Sequence, residues 1–368
     1  MAGISIIGAM ALTLAACGGN ATNDPTTDGT PSGDETTAAT ELSGSIAGAG
    51  ASSQEKAMNG WMAGFQEANS GVTVSYDPVG SGSGRKQFLE GATVFGGSDA
   101  AMKPEELTQG STRCFGGEVI ELPLYISPIA VAFNLEGIDS LNMSPATIAG
   151  IFAGTITQWD DAAIAADNEG VNLPSIRIVP VNRADDSGTT ENFTEYLDAV
   201  APSAWTHGAV ESWPISGTQS AQGTSGVVQV AQSTQGTIVY ADASQIGQLG
   251  TVAVGVGSEF VTLSPEAAAQ IVDVSPATED ATDKRLTIEL ARDTTESGTY
   301  PIVLISYTMA CDTYDSAADA ANVKALLTYI ASEEGQARAA EPSVAGSAPI
   351  SADLRTKVMA AVDTITSN

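Results

Sequence analysis

From residue 42 onward, short apolar runs alternate with segments of helical spacing, and that alternation restricts the architecture more than any other feature. Val72-Thr73-Val74-Ser75-Tyr76 has the two-residue period of a strand, while residues 54–67 put Met58, Trp61, Met62 and Phe65 on one helical face as core. The pattern continues through residues 147–152, 176–181, 192–197, 227–231 and 237–240. Strand and helix in alternation predict an α/β fold. Two runs, residues 126–134 and 302–309, are longer and more apolar than the rest. They are candidates for paired crossovers between two lobes, so that one lobe is discontinuous in sequence. No internal repeat is visible.

The N-terminal segment reads differently. Residues 1–16 are apolar and small, and as a helix they would reach only about 24 Å, short of the roughly 30 Å of a bilayer core. They read as a signal peptide, not a membrane span. Leu14-Ala15-Ala16-Cys17 followed by Gly18 resembles a bacterial lipobox, which makes Cys17 the lipidated residue. No Lys or Arg precedes Lys56, so the usual basic start of a signal peptide is missing, which points to a misplaced start codon. Residues 18–41 hold Thr, Asp, Gly, Asn, Ser and Pro and no apolar side chain larger than Ala, too little to offset the entropy of ordering. Residues 17–42 are thus expected to be the lipidated Cys and a disordered tether, holding the folded part on the outer face of the cell membrane. With Cys17 lipidated, Cys114 and Cys311 remain as a pair in an oxidising compartment; a disulfide and two unpaired buried thiols are both open readings.

Three segments share one design, in which a strand leads into a loop of small polar residues and then a helix. They are residues 48–53 (GAGASS), 80–84 (GSGSG) and 186–190 (DSGTT). The first N–H groups of a helix lack internal partners and carry the positive end of its dipole. Glycine lets the backbone approach closely, and Ser and Thr add hydroxyl donors. Such an end suits an anion, although each loop taken alone is equally an ordinary cap.

Other chemistries fit poorly. No P-loop is present, the 80–84 loop lacks Rossmann spacing, and there is no nucleophile elbow or zinc-ligand spacing. A Ser-His-Asp hydrolase would have to use His207, the one His, in a polar stretch between Trp205 and Trp213. No catalytic residue, metal or cofactor is therefore assigned. With 44 acidic and 14 basic side chains the net charge is −30. That excludes nucleic acid and other polyanions, which need a broad basic face. A single small anion held by local donors is not excluded, because distant exposed charges are screened by salt beyond about 8–10 Å.

The run from Ile151-Phe152-Ala153-Gly154 through Gln158-Trp159-Asp160-Asp161 and Leu173-Pro174 to Arg183-Ala184-Asp185-Asp186-Ser187-Gly188-Thr189-Thr190 resembles the signature of PstS-type phosphate-binding lipoproteins, extracytoplasmic receptors of phosphate ABC transporters. Gly48-Ala49-Gly50, Gly80-Ser81, Gly97-Ser98-Asp99, the 128–134 run and Gly236-Thr237-Ile238-Val239-Tyr240 match in order. The resemblance implies a two-lobed type II periplasmic-binding-protein fold with a ligand cleft and two hinge crossovers. One lobe would combine residues 43–130 and 302–368, the other would be residues 131–301. It implies inorganic phosphate as ligand, the permease subunits of an importer as partners, a monomer, and no enzymatic activity. Its site residues map to Ser52, Ser53 through its backbone N–H, Ser81, Asp99, Arg183, Ser187, Gly188 and Thr189, with Asp185 holding the Arg. The family often has a bulky residue at the position of Ser53 and an acidic one at that of Val94; neither side chain is expected to make an essential contact. The alternatives are a receptor for another tetrahedral oxyanion, such as sulfate or molybdate, a phosphate sensor or adhesin, or a phosphatase or serine hydrolase on the same scaffold.

Asp99 separates the oxyanions. Phosphate near neutral pH still carries a proton and sulfate carries none. A carboxylate only accepts, so it welcomes the first and opposes the second.

Overall fold

The computed structural model describes residues 42–368. The expected signal peptide, Cys17 and all of the tether but Leu42 lie outside them. In chain order the elements are β1 (Gly44–Gly50), α1 (Glu55–Ala68), β2 (Val72–Asp77), α2 (Ser81–Leu89), β3 (Phe95–Ser98), α3 (Pro104–Arg113), β4 (Val119–Phe133), β5 (Ser140–Met143), α4 (Pro145–Phe152), α5 (Ala162–Asp167), β6 (Val179–Arg183) and α6 (Gly188–Val200). There follow β7 (Gln219–Ala221), α7 (Gly223–Ser233), β8 (Thr237–Asp242), β9 (Gly250–Val256), β10 (Glu259–Val261), α8 (Pro265–Val274), β11 (Val303–Cys311), β12 (Thr313–Tyr314), α9 (Ala317–Ala331), α10 (Glu333–Ala340), α11 (Ala352–Asp363) and β13 (Thr366–Ser367). Among the described residues no helix is long and apolar enough to cross a membrane.

The main sheet runs β2-β1-β3-β11-β4-β8-β6-β7, with β9, β5 and β10 attached through β4. β4 joins its two portions. Its first part, Val119 to Pro128, pairs with β11, and from Ile129 to Phe133 it pairs with β8. All fifteen residues of β4 are buried, as expected of a strand covered on both faces. β4 begins seven residues before the apolar run starting at Ile126. Two residues disguise this beginning. Glu121 is buried but paired with Arg285, and Pro123 sits beside an irregularity in the β4–β11 register between Ser306 and Tyr307, where a missing N–H does not interrupt the ladder. β11 does not continue past Val303, which pairs with Pro128.

The helices pack as their spacing dictates. α1 buries Ala57, Met58, Trp61 and Phe65, with Met62 only half-buried at the edge of that stripe. α2 starts at Ser81, inside the segment read as a loop, because Gly80 takes φ +98° and turns the chain directly into the helix.

Cys114, at the C-terminal end of α3, is bonded to Cys311 at the end of β11, with 5.1 Å between Cα atoms. The bond closes 197 residues of chain, and the loop-closure entropy of a ring of that size puts its removal at up to about 5 kcal/mol. Denaturant unfolding of Cys114→Ser/Cys311→Ser is expected to show that loss; an unchanged midpoint would mean the bond stabilises nothing.

Candidate functional site

The C-terminal ends of β1, β3 and β6 and the N-terminal ends of α1, α2, α6 and α7 meet where the two portions of the sheet face each other. Ser52 and Ser53 precede α1, Ser81 opens α2, Asp99 follows β3, Arg183 ends β6, and Ser187, Gly188 and Thr189 start α6. The Ser, Thr, Asp and Arg members of this set are all 3% exposed or less. So many buried polar groups need partners, and the partners come from the other side. Thr189 Oγ1 donates to Asp99 Oδ2 at 2.9 Å. Asn192 Nδ2 donates to the Asp99 carbonyl at 2.7 Å. Thr224 N donates to Ser52 Oγ at 3.0 Å.

Two glycines permit close contacts here, Gly188 across to Asp99 and Ser81 and Gly50 to the neighbouring strand β3. A Cβ on Gly188 would lie 2.7 Å from both Asp99 Cβ and Ser81 Oγ. Gly50, at φ +151°, has the Gly97 carbonyl where its Cβ would be, at 1.9 Å.

Asp99 is held from several sides. Ser81 Oγ accepts from its N–H at 3.1 Å, and Ser53 Oγ donates to its Oδ1 at 2.7 Å. The Ser53 side chain thus holds Asp99, a role beside the backbone N–H expected of it from the sequence. Each Asp99 oxygen accepts one of these hydroxyls and keeps a second lone pair for another donor. Burial pushes the Asp99 carboxyl above its ordinary value, opposed by Ser53, Ser306, Thr189 and Arg183. The Ser306 hydroxyl itself is buried without a partner in hydrogen-bond geometry.

Arg183 is oriented by Asp185, whose Oδ1 accepts from Nε at 2.8 Å, with a second bond from the guanidinium to Oδ2. The fork of two bonds fixes the plane of the guanidinium. Asp185 also accepts from Gly223 N at 3.1 Å. Burial alone would raise its carboxyl, but Arg183 and that N–H hold it below the ordinary range. At α6, Ser187 Oγ caps Thr190 N at 3.2 Å, and the Tyr240 hydroxyl bridges Arg183 N and Thr190 Oγ1 at 3.2 and 2.8 Å.

The α7 end is the part the sequence reading missed. Gly223-Thr224-Ser225-Gly226 follows the three-residue strand β7 and repeats the small-residue strand–loop–helix design, which was the available signal. Gln245 was missed as well; its Nε2 donates to the Ser52 and Ser53 carbonyls at 2.7 and 3.0 Å. His207 is exposed against the edge of Trp205, with ring centroids 4.9 Å apart.

Next to the site, Glu191 on α6 has its carboxyl raised to about 7 by burial and then by Glu211 and Glu195. Its Oε2 is buried without a partner. A carboxyl raised on folding favours the native state at low pH, and that benefit is lost as pH rises from about 4.5 to 7. Glu191→Gln is expected to raise the melting temperature at pH 8 and to leave it nearly unchanged at pH 4, checked by calorimetry at both; a loss at pH 8 would contradict the assignment.

Chemically the arrangement offers several helix ends, buried hydroxyls and one forked cation to a compact anion, with the acceptor-only carboxylate of Asp99 among them. Residues 30–334 match the family described as PBP superfamily domain. Phosphate-binding protein PstS 3 of Mycobacterium tuberculosis is 33% identical over 332 residues, covering 89% of each chain. Those two findings decide the family. The chain belongs to the PstS phosphate-binding proteins of the PBP superfamily. PstS 2 of the same organism is 31% identical over 370 residues, with 99% of this chain and 98% of that one covered. The fold is that of the phosphate binding protein of Stenotrophomonas maltophilia, at TM-score 0.68 and 20% identity over 86% of this chain and 94% of that one. Membership and fold together give a two-lobed type II periplasmic-binding-protein architecture.

Proposed function

We propose that the chain is an extracytoplasmic lipoprotein that captures inorganic phosphate between its lobes and delivers it to the permease of an ABC importer. One lobe comprises residues 43–130 and 302–368, the other residues 131–301, and the anchor is lipidated Cys17. The observation that carries the reading is that Arg183 and Asp99 are buried in the same site: a fixed cation for the charge, and an acceptor for the remaining proton of phosphate. Ser52, Ser53, Ser81, Ser187, Gly188 and Thr189 supply the remaining donors, and Asp185 aims Arg183. The names of the relatives support the ligand. The chain acts by binding, without turnover and as a monomer.

Micromolar affinity requires only about 8 kcal/mol, which a site with this many charge-assisted bonds supplies after desolvation. Calorimetric titration with inorganic phosphate tests the reading. One phosphate per chain with a micromolar or tighter constant is expected; no heat and no binding at millimolar phosphate would refute it.

A further inference from the structure

A second set of charges bridges the cleft outside the anion site. Arg85 lies on α2 with its side chain 2% exposed. Its Nε donates to the two oxygens of Glu106 at 3.0 and 3.1 Å, and its Nη1 to Ser98 Oγ at 2.9 Å. Its Nη2 crosses to Glu211, donating to the two carboxylate oxygens at 2.7 and 2.9 Å. Lys103, just before α3, reaches the same carboxylate at 2.8 Å. Glu211 comes from the loop between α6 and β7, 126 residues away from Arg85. One carboxylate of the second lobe is thus enclosed by two cations of the first, and they hold it below its ordinary range against the effect of burial.

Both ends of the bridge are rooted in the anion site. Arg85 shares α2 with Ser81 and holds Ser98, the neighbour of Asp99. The Glu211 carbonyl accepts from Ser187 N at 3.1 Å. The bridge and the anion contacts therefore form or break together when the lobes meet or part.

We propose that Arg85 and Glu211 are positioning residues that latch the lobes in the closed form and slow the escape of the bound anion. The proposal rests on the phosphate-capture reading. A contact made only after closure leaves encounter unchanged and acts on dissociation. In the open form Glu211 would be solvated and Arg85 would keep only Glu106 and Ser98 of its own lobe, so the Arg85–Glu211 pairing weighs on the closed side of the equilibrium.

The test is stopped-flow kinetics of the full chain with inorganic phosphate, comparing wild type with Glu211→Gln, which keeps the shape and removes the charge. Release is expected to accelerate at least tenfold, with association changed less than about twofold. Glu211→Asp should recover part of the loss. Lys103→Gln, at a half-exposed site that tolerates change, should shift release in the same direction by less. Unchanged release in Glu211→Gln overturns the latch. So does acceleration accompanied by an equal loss of melting temperature without phosphate, since that marks a purely structural role. A wild-type chain that binds no phosphate sinks the capture reading and the latch with it, whereas wild-type binding with an unaltered variant sinks the latch alone.

Discussion

Arg183→Ala is expected to weaken phosphate binding by two to three orders of magnitude. The guanidinium is 3% exposed at the end of β6 and doubly bonded to Asp185. Removing it takes away the fixed positive charge and leaves a buried carboxylate facing an incoming anion. Truncating a buried, hydrogen-bonded charge in a binding site costs about 2–5 kcal/mol of affinity. Arg183→Lys keeps the charge and loses the fork, so its loss should be intermediate. Calorimetry on the three proteins checks the order; a constant for Arg183→Ala within threefold of wild type would contradict the role.

Asp99→Asn is expected to abolish the preference for phosphate over sulfate. In the wild type, sulfate would bring an unprotonated oxygen against an acceptor in a dry site, a penalty of about 2–5 kcal/mol. An amide can turn a donor toward that oxygen. The Ser53 and Thr189 hydroxyls that now donate to Asp99 can rotate, so the variant should fold. Because burial raises the Asp99 carboxyl, protonation removes the acceptor at a higher pH than for an exposed Asp. Selectivity should therefore fall as the pH is lowered through that raised value, and the Asn variant should show no such fall. Equal selectivity in variant and wild type would refute the assignment.

What the sequence made legible was local. Arg183 and Asp185 are two residues apart, and the Gly/Ser/Thr loops at residues 48–53, 80–84 and 186–190 announce their helix ends through residue type alone. What stayed hidden depends on tertiary pairing. Glu121 and Pro123 made the start of β4 look unlike a central strand, because Arg285 and the register irregularity that accommodate them are remote in sequence. The α7 end escaped notice because β7, three residues long, has too few positions to show a period. α9 sets Ala320, Val323, Leu326, Leu327, Ile330 and Ala331 into the core, so it lacks a sharply polar face to mark it. Arg85 and Glu211 are ordinary surface types, and only the fold brings them together.

The net charge of −30 acts at a distance and the site acts at contact. In the proposed site, helix ends, hydroxyls and Arg183 would act on the anion at contact, while exposed carboxylates beyond about 8–10 Å are screened. In the proposed reading Asp99 is the carboxylate that meets the ligand itself.

The central claim, that Asp99 and Arg183 make one site for a protonated oxyanion, is tested most directly by titrating the wild-type chain with phosphate in the presence of roughly tenfold excess sulfate. A phosphate dissociation constant equal to that measured without sulfate is expected. A constant that rises in proportion to the sulfate present would contradict it.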